Sequence, residues 1–205
     1  MTWHGYWPDV VAGLLFVVGL VMLMSEDWRL FLLSLAGVYG GTAALSAWTW
    51  PWPLAATVLV GGWMAASILG ISLRAALTPV RRARLSVIVF RLLAGLLAGL
   101  LATSLVPVLQ KWLPPLPVAH LWGGLALILL GMWQLGLRGN QPLEVSGGLL
   151  AVVGGFIVLY ATLEQSLLLA GLLALVMVAL ALAGGYLIVQ AAAAEPPAAP
   201  TEEEG

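Results

Sequence analysis

Cysteine is absent from this chain of 205 residues, which rules out disulfides, thiolate metal sites and cysteine nucleophiles and leaves the redox compartment unreadable. Charge is scarce: 8% of the residues are charged, against roughly a quarter in soluble domains. The formal net charge of -1 provides no global field to recruit nucleic acid, and no nucleic-acid partner is expected. Met1 to Asp9 lack the basic residues of a signal peptide, and no small-residue cleavage site follows the first apolar run; that run reads as a retained span. There is no phosphate-binding loop, no zinc motif and no nucleophile with its base. What the chain does have is apolar surface, with 62% hydrophobic residues and a mean hydropathy of +1.06. A soluble fold could not cover it. In lipid the unit of structure is a span of about 20 apolar residues, so the expected fold is an all-α transmembrane bundle.

Apolar stretches run from Pro8 to Met24, Leu30 to Trp48, Pro53 to Leu73, Leu85 to Leu109, Val118 to Leu137, Leu143 to Ala161 and Leu167 to Val189. Charge breaks them at Ser25-Glu26-Asp27, proline at Thr49 to Pro53 and Leu113 to Pro117, and turn chemistry at Arg138 to Pro142. The count is therefore about seven. Basic residues favour the cytoplasmic side of a membrane. With seven spans, Arg29, Arg74, Arg81, Arg82, Arg84, Arg91 and Arg138 fall on one side and Lys111 on the other. Trp3, Trp7, Trp48, Trp50, Trp52, Trp112 and Trp122 gather on the side without arginine, as an interfacial aromatic belt does. The expected topology has the N-terminus outside and the C-terminus in the cytoplasm. Residues 1–190 form the membrane domain, and 191–205, rich in alanine, proline and glutamate, form a disordered cytoplasmic tail.

Displaced by about 114 positions, the sequence places Val38 on Val152, Gly40-Gly41 on Gly154-Gly155, Leu59 on Leu173, Gly70 on Gly184 and Leu73 on Leu187. Residues 8–78 and 118–190 would then be parallel three-helix repeats, joined by a fourth span that returns the chain to the outer side.

Asp9, Glu26, Asp27, Glu144 and Glu164 all stand at or near span ends, so no carboxylate is expected at the bilayer centre, where proton relays place theirs. The arginines are expected to extend their stems from the interface to water. Arg74, Arg81, Arg82 and Arg84 fix orientation and are candidate contacts for anionic lipid or a partner. His4 and His120 lack ligand spacing and read as solvated or headgroup-contacting, so no metal or cofactor is expected. Small residues recur at four-residue spacing in Gly37 with Gly41, Gly95 with Gly99, and Gly147 with Ala151 and Gly155. Such ridges let helix backbones approach closely in lipid, within the chain or against another subunit.

The segment Ala12 to Leu20, followed by Asp27-Trp28-Arg29-Leu30-Phe31 and the run Leu35 to Gly41, resembles the three-span subunit K of bacterial respiratory complex I. Gly124 to Gly131, Arg138-Gly139-Asn140 and Ser146 to Leu150 resemble it again. In layout the chain is similar over nearly its whole length to component E of formate-hydrogenlyase-type membrane hydrogenases. Subunit K carries acidic residues within its second and third spans. The corresponding neighbourhoods here, around Ala36, Ala65, Leu150 and Met177, hold none. The resemblance thus implies a non-catalytic subunit, with a structural or assembly role, of a multi-subunit respiratory or hydrogenase-like complex in the bacterial plasma membrane. Its partners would be lipids and other integral membrane subunits. Two other expectations compete: a carrier of a small neutral substrate with a cavity lined by Tyr39, Gln134, Tyr160 or Tyr186, and a lipid- or pigment-organising subunit.

Overall fold

In lipid no water satisfies the backbone, so an apolar segment must close its own hydrogen bonds as a helix. The computed structural model, which describes residues 6–76, 85–112, 116–138 and 141–194, contains α1 (Trp7–Met24), α2 (Trp28–Ser46), α3 (Trp52–Ala76), α4 (Leu85–Trp112), α5 (Val118–Arg138), α6 (Pro142–Tyr160) and α7 (Leu167–Ala194). Each of the seven is long and apolar enough to cross a membrane. Proline starts α1 and α6, where its missing N–H is not needed, and the Asp27 carboxylate caps α2 by accepting from the Arg29 amide at 3.0 Å. Ala191 to Ala194, at the start of the expected tail, continue α7, since alanine is the strongest helix former. The remainder of the expected tail lies outside the described residues.

Arg138, which ends α5, reaches the carbonyls of Leu23 and Ser25 at the end of α1. His120, near the start of α5, meets Leu45 near the end of α2. Consecutive helices therefore run antiparallel, and α1 and α5 run parallel. One end of the bundle carries the described arginines, Arg29, Arg74, Arg91 and Arg138; the other carries Trp7, Trp48, Trp50, Trp52 and Trp112. The helices lie in two rows, α1-α2-α3 and α5-α6-α7, with α1 against α5, α2 against α6 and α3 against α7. The fourth helix packs on α1 and α5. Phe31, Leu35, Val38 and Tyr39 of α2 meet Val58 and Leu69 of α3, Leu127 of α5, Leu150 and Ile157 of α6 and Met177 of α7 in one apolar core.

The backbones of α5 and α6 approach each other closely. A Cβ on Gly131 would lie 2.6 Å from the Gly148 carbonyl oxygen, and one on Gly155 would lie 2.5 Å from that of Gly124. These are backbone-to-backbone contacts, repeated two turns apart on antiparallel helices. Only glycine permits them.

Candidate functional site

Polar groups buried in a membrane bundle mark either function or a structural tie, and here they collect at the two ends of the bundle. At the arginine end, α5 terminates in Arg138 while α6 carries Glu144 in its first turn, where the helix dipole favours an acid. Arg138 Nη2 pairs with Glu144 Oε1. Its Nη1 donates to the Ser25 carbonyl at 2.6 Å and, at the limit of a hydrogen bond, to that of Leu23 at 3.4 Å. One turn earlier on α5, Gln134 Nε2 donates to the Glu144 carbonyl at 3.1 Å. Beside this pair, Arg91 of α4 approaches Glu26 to 3.6 Å. The result ties α1, α4, α5 and α6 together at one end.

This corrects the expectation that Arg138 would extend to water. Arg138 is 8% exposed and Glu144 6%, because the facing ends of α5, α6 and α1 enclose them. Burying two charges costs several kcal/mol per ion, and their attraction offsets this only when further hydrogen bonds complete the geometry. The Ser25 and Leu23 carbonyls supply part of that shell. The sequence signal was available: an arginine closing one span and a glutamate opening the next, six positions later, stand together when the helices are antiparallel.

At the tryptophan end His120 is 1% exposed, with Nε2 2.9 Å from the Leu45 carbonyl oxygen. That oxygen can only accept, so Nε2 carries the proton. Its burial excludes a headgroup contact and corrects the expectation, because a position near a span end does not fix which face of α5 carries the side chain. His4 lies outside the described residues. Trp50 is likewise no belt residue: 3% exposed, it donates Nε1 to the Glu164 carbonyl at 2.8 Å. Gln165 Nε2 returns a bond of 2.8 Å to the Thr49 carbonyl, and Tyr160 donates to the Glu164 carboxylate at 2.7 Å. The turn between α2 and α3 is thereby fastened to that between α6 and α7.

Between the two ends the packed residues are apolar. Leu127 and Leu130 separate His120 from Gln134 along α5, and Leu35 and Val38 face Leu150 across α2 and α6. The Tyr39 hydroxyl within this belt is engaged, donating to the Leu150 carbonyl at 2.8 Å. Buried Thr42 Oγ1, Ser46 Oγ and His120 Nδ1 at one end, and Gln134 Oε1 and Arg138 Nε at the other, have no partner among the described residues. They form two separate groups, with the apolar belt between them. Among the described residues no cluster of three or more His, Asp and Glu side chains could hold a metal.

A Cβ on Gly37 would meet Val18 and one on Gly41 would meet Leu15, both of α1. Gly95 and Gly99 face Leu20 and Phe16 of α1, Gly147 faces Phe31 of α2, and Gly155 faces α5. Each of these six glycines thus has a neighbour within the chain. Arg74 is exposed at the end of α3; Arg81, Arg82 and Arg84 lie outside the described residues. The four residues named for a carrier cavity, Tyr39, Gln134, Tyr160 and Tyr186, are not brought together. Tyr39 is packed in the core, Gln134 and Tyr160 sit at opposite ends, and Tyr186, 63% exposed on α7, accepts a bond from Gln190. The chain matches no protein-family model, no curated protein and no solved structure.

Proposed function

We propose that this chain is a non-catalytic integral membrane subunit of a multi-subunit ion-translocating complex, respiratory or hydrogenase-like, in a bacterial plasma membrane. The observation that carries the reading is the division of the buried polar groups into two ties, one at each end, with the Leu35, Leu127 and Leu150 belt between them. Ion translocation through a membrane needs ionisable or hydrated groups in mid-span. A bundle whose titratable groups instead fasten its own helices supplies packing surface and assembly beside chains that do conduct. The residues that resemble subunit K, and the layout similar to that of component E, support the same conclusion.

In this reading the arginine end faces the cytoplasm, following the usual bias of basic residues, and the N-terminus faces outward. The chain also arose by tandem duplication. Displacement by about 114 positions carries the bounds of α2, Trp28 and Ser46, onto those of α6, Pro142 and Tyr160. The pairing of α1 with α5, α2 with α6 and α3 with α7 is what two such units laid side by side would give. Purified from its native membrane in mild detergent, the chain is expected to migrate in one assembly with oxidoreductase or antiporter-like chains, identified by mass spectrometry. Recovery of the chain alone would contradict the proposal.

A further inference from the structure

A groove of about 730 Å³ opens between α2 and α3 at the arginine end of the bundle. Leu32, Leu33 and Ala36 of α2 and Ala66, Gly70 and Ile71 of α3 form its walls. Ser67 also lines it, but its hydroxyl donates to the Trp63 carbonyl of its own helix at 2.8 Å. Towards mid-membrane the Trp63 indole bridges the two helices, donating Nε1 to the Ala36 carbonyl at 3.2 Å. The body of the groove therefore offers an occupant apolar surface.

Its mouth is different. Arg29, in the first turn of α2, and Arg74, in the last turn of α3, both line the groove and both are exposed. Neither forms an ion pair among the described residues. The Arg29 guanidinium carbon stands 5.2 Å from the centre of the Trp28 ring, which lines the same mouth. Among the described residues no acidic side chain lines the groove; the nearby Asp27 carboxylate is engaged in capping α2. Two planar guanidiniums at the membrane interface match the oxygens of a phosphate, and an apolar channel running from them into the hydrocarbon matches an acyl chain. From Arg29 to Ala36 the channel follows about 10 Å of helix, long enough for the upper half of such a chain.

We propose that this groove is a binding site for an anionic phospholipid, with the phosphodiester between Arg29 and Arg74 and one acyl chain along Leu32, Ala36 and Gly70. A phospholipid is favoured over a helix of another subunit because the charge lies only at the level of the headgroups. The proposal is independent of whether the chain has protein partners.

The test is a titration of the delipidated wild-type protein with phosphatidylglycerol and with phosphatidylcholine, bound lipid being counted by native mass spectrometry. Phosphatidylglycerol is expected to bind the more tightly. The double variant Arg29→Gln/Arg74→Gln should weaken it about thirtyfold, since each arginine near an anionic headgroup contributes somewhat under a factor of ten, while phosphatidylcholine binding stays as it was. Ser67→Trp, which fills the channel and leaves the charges in place, should also weaken phosphatidylglycerol. Unfolding of the delipidated variants, which alter exposed side chains, is expected to match the wild type. Equal binding of the two lipids, or phosphatidylglycerol binding that survives either variant, would overturn the proposal. So would a photoreactive side chain at position 67 that crosslinks to a polypeptide rather than to phospholipid in native membranes.

Discussion

Replacing Gly131 or Gly155 by valine is expected to separate α5 from α6 and to prevent the bundle from closing. A Cβ at Gly131 would meet the Gly148 carbonyl at 2.6 Å and the Val152 amide nitrogen at 2.9 Å; at Gly155 it would meet the Gly124 carbonyl at 2.5 Å and the Ile128 nitrogen at 3.0 Å. Overpacking a core that can adjust its side chains costs about 1–3 kcal/mol. Here the obstacle is backbone, which moves only if the helix moves, so each valine should cost at least the upper part of that range. The α5–α6 pairing is also the most extensive in the bundle, and in lipid the loss of close packing is not offset by any hydrophobic drive to hold the helices together. Gly136, on the same α5, is the control: nothing lies within 4 Å of its added Cβ. Gly136→Ala should leave stability unchanged or raise it by roughly 0.5–1 kcal/mol through helix propensity. Unfolding in detergent against added sodium dodecyl sulfate measures all three variants, and a Gly131→Val protein as stable as Gly136→Ala would refute the close-contact account.

Arg138→Leu should be comparably damaging for a different reason. It leaves the Glu144 carboxylate buried without its cation, and breaking a buried pair from one side typically costs about 3–5 kcal/mol. It also leaves the Ser25 carbonyl, which accepts from Arg138 at 2.6 Å, without that donor. The double variant Arg138→Leu/Glu144→Leu removes both charges and should recover most of the loss, because a hydrophobic replacement for an ion pair is often neutral or stabilising. The same unfolding experiment yields the coupling between the two sites. Additive effects of Arg138→Leu and Glu144→Leu, each measured alone, would mean that the two side chains do not act as a pair.

How much of this was legible from sequence depended on whether the lipid or the neighbouring helix set the constraint. The spans were legible because hydrocarbon imposes a length and forbids an unpaired backbone, so Trp28 to Ser46 and Pro142 to Tyr160 could be found within a residue or two from apolar content and breaks. The direction each helix faces was not. In water an inward face is apolar and an outward face polar; in lipid both are apolar, and the pattern that would have turned His120, Trp50 and Arg138 inward disappears. All three stand near span ends, where residue type suggests an interface, and all three are buried. The glycines show the same limit. A four-residue spacing picked out Gly147 and Gly155 on α6, yet Gly147 faces Phe31 of α2, and the face against α5 is Gly148 with Gly155, two turns apart. Only a partner helix distinguishes these faces.

The absence of cysteine gives a clean background for the most direct test of the seven-span arrangement. Tyr6→Cys places a thiol at the exposed N-cap of α1, and Ala194→Cys places one at the last residue of α7. In intact cells a membrane-impermeant maleimide is expected to label the first at once and the second only after the membrane is permeabilised. Labelling of both from the same face would contradict an odd number of crossings, and with it the arrangement of the two rows across the bilayer.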